Sequence, residues 1–128
     1  MTFVEKMKSF PDYIGATGKS EQEIIEAEKA LGLSFAADYR AYLEKVGLAC
    51  FGGHEITGLT KTARLDVIAV TKEQRNYCGE IAVSWYVVEE ANIYGIVIWQ
   101  DSDGAVYQTM PNSKCRLIAK SLLEYISE

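Results

Sequence analysis

The chain has 128 residues, of which 48% are hydrophobic and 11% aromatic, and this size and composition fit one domain spanning residues 1–128 with a single core. A formal net charge of −5 with no basic run argues against a nucleic-acid-binding role, and the content of bulky apolar residues makes metal or disulfide staples unnecessary. Cys50, Cys78 and Cys115 form no CxxC pair, so they read as free thiols in a reducing cytosol, with no zinc or redox motif among them.

In chain order, the amino terminus MTFVEKMKSFPDY is broken by charges too early to serve as a signal peptide. The longest uncharged apolar-rich run, residues 81–88, is far too short to cross a bilayer. The reading is a cytoplasmic protein. Ser20 followed by Glu23 matches a capping box, which predicts a helix over Glu21–Leu31 that buries Ile24, Ala27 and Leu31 and stops at Gly32. Ser34 is the expected cap of a second helix, in which Phe35, Tyr39, Tyr42, Leu43 and Val46 share one face before Gly47 ends it.

Beyond Gly47 the pattern changes. Gly52 and Gly53 mark a turn, residues 55–59 fit a short strand, and residues 66–75 mix apolar and charged side chains without a period, so that segment reads as irregular with one helical turn. Two β-branched and aromatic runs follow at 81–88 and 93–99, and Glu89, Glu90, Ala91 and Asn92 between them predict a hairpin turn. A second turn at 102–104 returns the chain as a third strand, AVYQTM. Leu117, Ile118, Leu122, Tyr125 and Ile126 recur at helical spacing and predict a closing helix. Helices, then adjacent strands, then a helix give an α+β fold: an antiparallel β-sheet with packed amphipathic helices.

No motif carries catalysis. Cys50 and the sole histidine, His54, are the one candidate nucleophile pair, and no third group is indicated to orient the imidazole. Asp101-Ser102-Asp103-Gly104 starts like a calcium loop but places Ala105, Val106 and Asn112 where an oxygen ligand, Gly and Glu are needed, so it reads as a polar turn and no metal is expected. Gly52-Gly53-His54 lacks the lysine and the helix of a phosphate cradle. The expectation is a protein without enzymatic activity or cofactor.

Charge is distributed unevenly. Residues 76–113 contain no Lys or Arg, while Glu80, Glu89, Glu90, Asp101 and Asp103 supply five negative charges. Two readings stand side by side: carboxylates that keep this half soluble, or an acidic surface for a basic partner. Trp85 and Trp99, in the same half, are either aromatic anchors of that surface or core residues. The candidate partner-binding set is therefore Glu80, Glu89, Glu90, Asp101, Asp103, Trp85 and Trp99.

The run EIIEAEKALGLSFAADYRAYLEKVG at 23–47, EITGL at 55–59, DGAVYQ at 103–108 and AKSLLEYI at 119–126, in that order, resemble the SUKH superfamily, and within it the Smi/Knr-type branch. Ala36 stands where members of the family often have proline ahead of the Asp-Tyr pair. The resemblance implies the SUKH (Smi/Knr-like) α+β fold and, for bacterial members, an immunity protein (antitoxin) that binds and neutralises a cognate polymorphic toxin, often a nuclease with a basic surface. It also leaves open a regulatory scaffold acting on a cellular partner, as in the related fungal proteins. It supplies no catalytic residues.

Overall fold

A computed structural model describes residues 1–79, 81–91 and 93–127. Its fold is α+β, with helices packed on two antiparallel sheets. Helix α1 (Phe3–Lys8) is an element the periodicity does not announce, because six residues are too few for a pattern; Thr2 and Glu5 close a capping box, and Phe3, Val4 and Met7 are buried. Helix α2 (Glu21–Leu31) forms as expected. The Glu23 N–H donates to the Ser20 hydroxyl, the Ser20 N–H donates to the Glu23 carboxylate, and Gly32 takes φ 69° just past the end.

Helix α3 (Ala37–Lys45) starts later than expected, and Ser34 does not cap it. Ala36 occupies the N-cap position, and its N–H donates to the Tyr86 hydroxyl across the core at 2.9 Å, while the Phe35 N–H donates to Glu28 Oε2 at 2.8 Å. Tertiary partners thus take over the role of the local hydroxyl. Phe35 is buried ahead of the helix, stacked edge-on against Tyr39 and Tyr86.

Strands β1 (Ile14–Gly15), β2 (Ala49–Phe51) and β3 (His54–Ile56) form the smaller sheet, with Gly52 and Gly53 at φ 52° and 81° making the tight β2–β3 turn. The larger sheet is a meander of β4 (Tyr86–Glu90), β5 (Val97–Gln100), β6 (Val106–Thr109) and β7 (Arg116–Ala119). Leu117 and Ile118 therefore belong to a strand, and the closing helix α5 covers only Leu122–Ser127. Asp38 fixes that later start, since its Oδ2 accepts the Leu122 N–H at 3.0 Å.

The segment read as irregular is helix α4 (Val67–Tyr77), capped by Asp66, whose Oδ2 accepts the Ala69 N–H. Val67, Val70 and Thr71 are its buried side, a stripe too narrow to register as a period among Lys72, Glu73 and Arg75. The Thr71 hydroxyl accepts the Val87 N–H, and Thr57 donates its N–H to the Val88 carbonyl and its hydroxyl to the Val87 carbonyl. The outer edge of β4 is thereby closed to further pairing.

The four-stranded sheet separates two cores. Its inner face (Tyr86, Val88, Ile98, Val106, Ala119) joins α1, α2, α3 and α5 in the main cluster. The outer face (Val87, Val97, Trp99) meets Val70 of α4 and the half-buried Cys78, Ile81, Trp85 and Tyr107.

Candidate functional site

The destinations of Glu89 and Glu90 follow from one irregularity in β4. Val87 pairs with Trp99 and Glu89 with Ile98, so Val88 is an extra residue opposite a continuous β5. A β-bulge of this kind reverses the in-out alternation beyond it. Val88 and Glu89 both face the inner core, and Glu90, opposite Val97, goes to the outer face. The two carboxylates expected in a hairpin turn are instead in the strand, and on opposite sides of the sheet.

Glu89 is only 6% exposed and is saturated by neighbours. Its Oε1 accepts from His54 Nδ1 at 2.9 Å and from the Tyr125 hydroxyl, and its Oε2 accepts the Glu55 N–H at 2.7 Å. These bonds tie β3, β4 and α5 together. The hydrogen bond to Glu89 raises the His54 pKa above the usual 6.5, against the opposing effect of burial. Burial, followed by the Glu89 charge, pushes the Tyr125 phenol well above its ordinary range. Glu89 is thus a junction of the fold and presents no surface to a partner.

Trp99 is likewise withdrawn: fully buried, it donates its indole N–H to Thr109 Oγ1 at 2.9 Å. Trp85 is half-buried and stacks on Tyr107 with ring centroids 4.0 Å apart. Asp101 holds its own loop, Oδ1 accepting the N–H groups of Asp103 and Ala105 and Oδ2 the Tyr107 hydroxyl. Asp103 is exposed on that turn, as expected. Glu80 lies outside the described residues. The acidic surface inferred from sequence thus loses Glu89 to the core, and Asp101 is largely committed to its turn.

The Cys50–His54 pair does not assemble either. Cys50 is opposite Glu55 and Phe51 opposite His54 in the β2–β3 register, and successive strand residues point to opposite faces, so thiol and imidazole diverge. The imidazole packs between Phe51 and Tyr125 and is oriented on Glu89.

What the outer face does offer is a cleft of about 830 Å³ at the end of the sheet where Glu90, Val97 and Thr109 lie. The end of α4 forms one side through Gln74 and Tyr77, the β4–β5 turn a second through Ile96, and the β6–β7 loop a third through Met110 and Pro111. Gly95 holds the two loops together. A Cβ there would come within 2.9 Å of the Pro111 ring, and its φ of 69° also favours glycine. Next to it Tyr94 is 83% exposed at φ 55°, a left-handed conformation that a bulky residue adopts only at a cost, and Tyr77 is 75% exposed. Glu90 Oε2 accepts from the Gln74 amide at 2.7 Å.

Of the predicted site residues that are described, only Glu90 lines this cleft. Tyr77, Tyr94 and Met110 were missed. The glycine of IYGIVIW is the signal that could have revealed Tyr94, since glycine inside a strand-like run marks a break or close backbone approach.

The family model described as SUKH_5, SMI1-KNR4 cell-wall, matches residues 2–128. The chain belongs to the SUKH family. No match was found among curated proteins. The SUKH fold here comprises the inner core, which carries most of the helices, and the outer face with its cleft. Among the described residues no helix is long and apolar enough to cross a membrane, and no group of three or more His, Cys, Asp or Glu could hold a metal ion.

Proposed function

We propose that this protein is a non-enzymatic, cytoplasmic immunity protein, acting as one domain, that binds a cognate toxin and neutralises it by occupying the toxin's working surface. The observation that carries the reading is the open cleft on the outer face, with the exposed Tyr77 in its lining and the exposed Tyr94 next in the chain to its lining residue Gly95. Tyrosine supplies large contact area at low entropic cost and is enriched at interface hot spots. Family membership supports a binding role of this kind. Glu90 and Asp103 are the carboxylates of the acidic segment best placed to meet a basic surface such as that of a nuclease. Nucleic acid is a poor partner for a segment that carries no cation between residues 76 and 113.

Co-expression with a toxin-like protein encoded by a neighbouring gene tests this reading. Growth should be rescued and a complex recovered, and the double substitution Tyr77→Ala, Tyr94→Ala should abolish both while leaving the folded protein at normal levels. Rescue by that variant at full strength would move the interface elsewhere. The words "cell-wall" in the family description favour a second reading, a regulatory scaffold for a cellular protein. That reading gains if no neighbouring toxin exists and a stable complex with a host protein depends on the same two tyrosines.

A further inference from the structure

We propose that the cleft receives an extended, mainly apolar segment of a partner protein carrying one Lys or Arg, whose cation pairs with Glu90. The inference rests on the binding-module reading above and specifies what the module recognises.

The walls contributed by Ile96, Val97, Met110 and Pro111 are apolar and call for apolar side chains, and methionine adapts its shape to them. Glu90 is the one carboxylate among the described residues of this lining. It is half-buried, and the Gln74 amide fixes one oxygen, so the carboxylate is oriented before anything binds. Among the described residues no cation lies within ion-pair distance of it, and Lys114, on the opposite wall, does not reach it. A carboxylate taken partly out of water and held by a neutral amide gains more from an incoming ammonium or guanidinium than a fully solvated one would.

Charge also narrows the choice of partner. A second copy of this chain docking through the same face would bring a second Glu90 and, among the described lining residues, only Lys114 as a cation. A small molecule filling the cavity would meet Tyr77, which lines it, but would leave Tyr94, 83% exposed and next in the chain to the lining residue Gly95, uncovered. A polypeptide segment covers both cavity and rim.

The test uses the full chain and three peptides, acetyl-Thr-Val-Xaa-Val-Thr-amide with Xaa as Lys, norleucine or Glu, titrated by calorimetry and by amide shifts in NMR spectra. The Lys peptide should bind about fivefold more tightly than the norleucine peptide, the Glu peptide most weakly, with shifts concentrated at Ile96, Val97 and Met110. Glu90→Gln should erase the Lys advantage and leave norleucine binding unchanged. Should Glu90→Gln fold poorly, Glu90→Asp, which withdraws the carboxylate by one methylene, should reduce the same advantage. Equal binding of the Lys and norleucine peptides, shifts centred on another face, or no saturable binding by any peptide would each overturn the proposal. The toxin plays no part in these titrations. Failed growth rescue with intact peptide selectivity would refute the immunity reading alone, and lost selectivity with intact rescue would refute this inference alone.

Discussion

The two faces of the four-stranded sheet are built on opposite principles. On the inner face the buried polar side chains are paired within the chain among the described residues: Tyr86 donates to Gln100, Gln100 donates to Asp38 and to the Gly104 carbonyl, and Glu89 takes up three donors. The outer face is packed near Trp99 and Val87 and then opens, with Leu117 58% exposed on β7 and the cleft beyond. A saturated network fixes a unique arrangement and leaves nothing for a partner to satisfy. The open face keeps apolar area and an oriented carboxylate available.

The largest test of that contrast is Glu89→Ala, which leaves the Glu55 N–H and the His54 and Tyr125 donors without their acceptor in a buried site. Unfolding in urea should show a loss of about 3 kcal/mol, and a loss below about 1 kcal/mol would mean the inner network is not the anchor described. Tyr86→Phe removes the acceptor of the Ala36 N–H and the donor to Gln100 together, and the same measurement should register about 1.5 kcal/mol. Neither substitution should weaken partner binding by a protein that remains folded.

A smaller effect should appear with pH. The folded pKa of His54 is raised above 6.5, so its bond to Glu89 contributes fully below pH 6.5 and fades as pH rises through the raised value. The groups facing the imidazole are Glu89 and Tyr125, and the Tyr125 phenol, pushed upward, stays neutral across this window. Wild-type stability should therefore decline on going from pH 6.5 towards 8 relative to His54→Gln, and parallel profiles would remove His54 from the network. The smallest effect has the opposite sign. Tyr94→Gly relieves a left-handed side chain worth roughly 1–2 kcal/mol of strain but adds about 0.5–1 kcal/mol of chain entropy, for a net gain near 0.5 kcal/mol. Thermal unfolding should show that gain together with weaker partner binding; reduced stability would mean Tyr94 contributes packing that its exposure conceals.

Much of the fold was legible where the signals are local. The capping box at Ser20 and Glu23, the stop at Gly32 and the Gly52-Gly53 turn depend on neighbours in the chain and form as read. The start of α3 was not legible, because it has no local side-chain cap and the N–H of its N-cap residue Ala36 bonds to Tyr86, fifty positions away. Helix α4 was hidden because one side of it packs on β4 and the rest is solvated, and Leu117 and Ile118 matched a helical period by coincidence with α5. At the site, Glu90 and Asp103 could be read as available carboxylates. Glu89 could not be separated from Glu90, since a bulge has no signature in VVEE, and Trp99 could be assigned to the core only once β5 was known to have neighbours on both sides.

That bulge makes the placing of two side chains depend on the pairing register at a single point. Were Val88 instead paired with Ile98 in strict alternation, every later residue of β4 would slip by one, so that Glu89 would turn outward towards α4 and Glu90 inward towards His54 and Tyr125. The same two carboxylates would then arrive at each other's addresses, one position displaced along the strand, and neither would meet its donors at the right height. One inserted residue therefore acts as a parity device. It lets a pair of identical side chains, adjacent in sequence, hold the fold together on one side and face the outside world on the other.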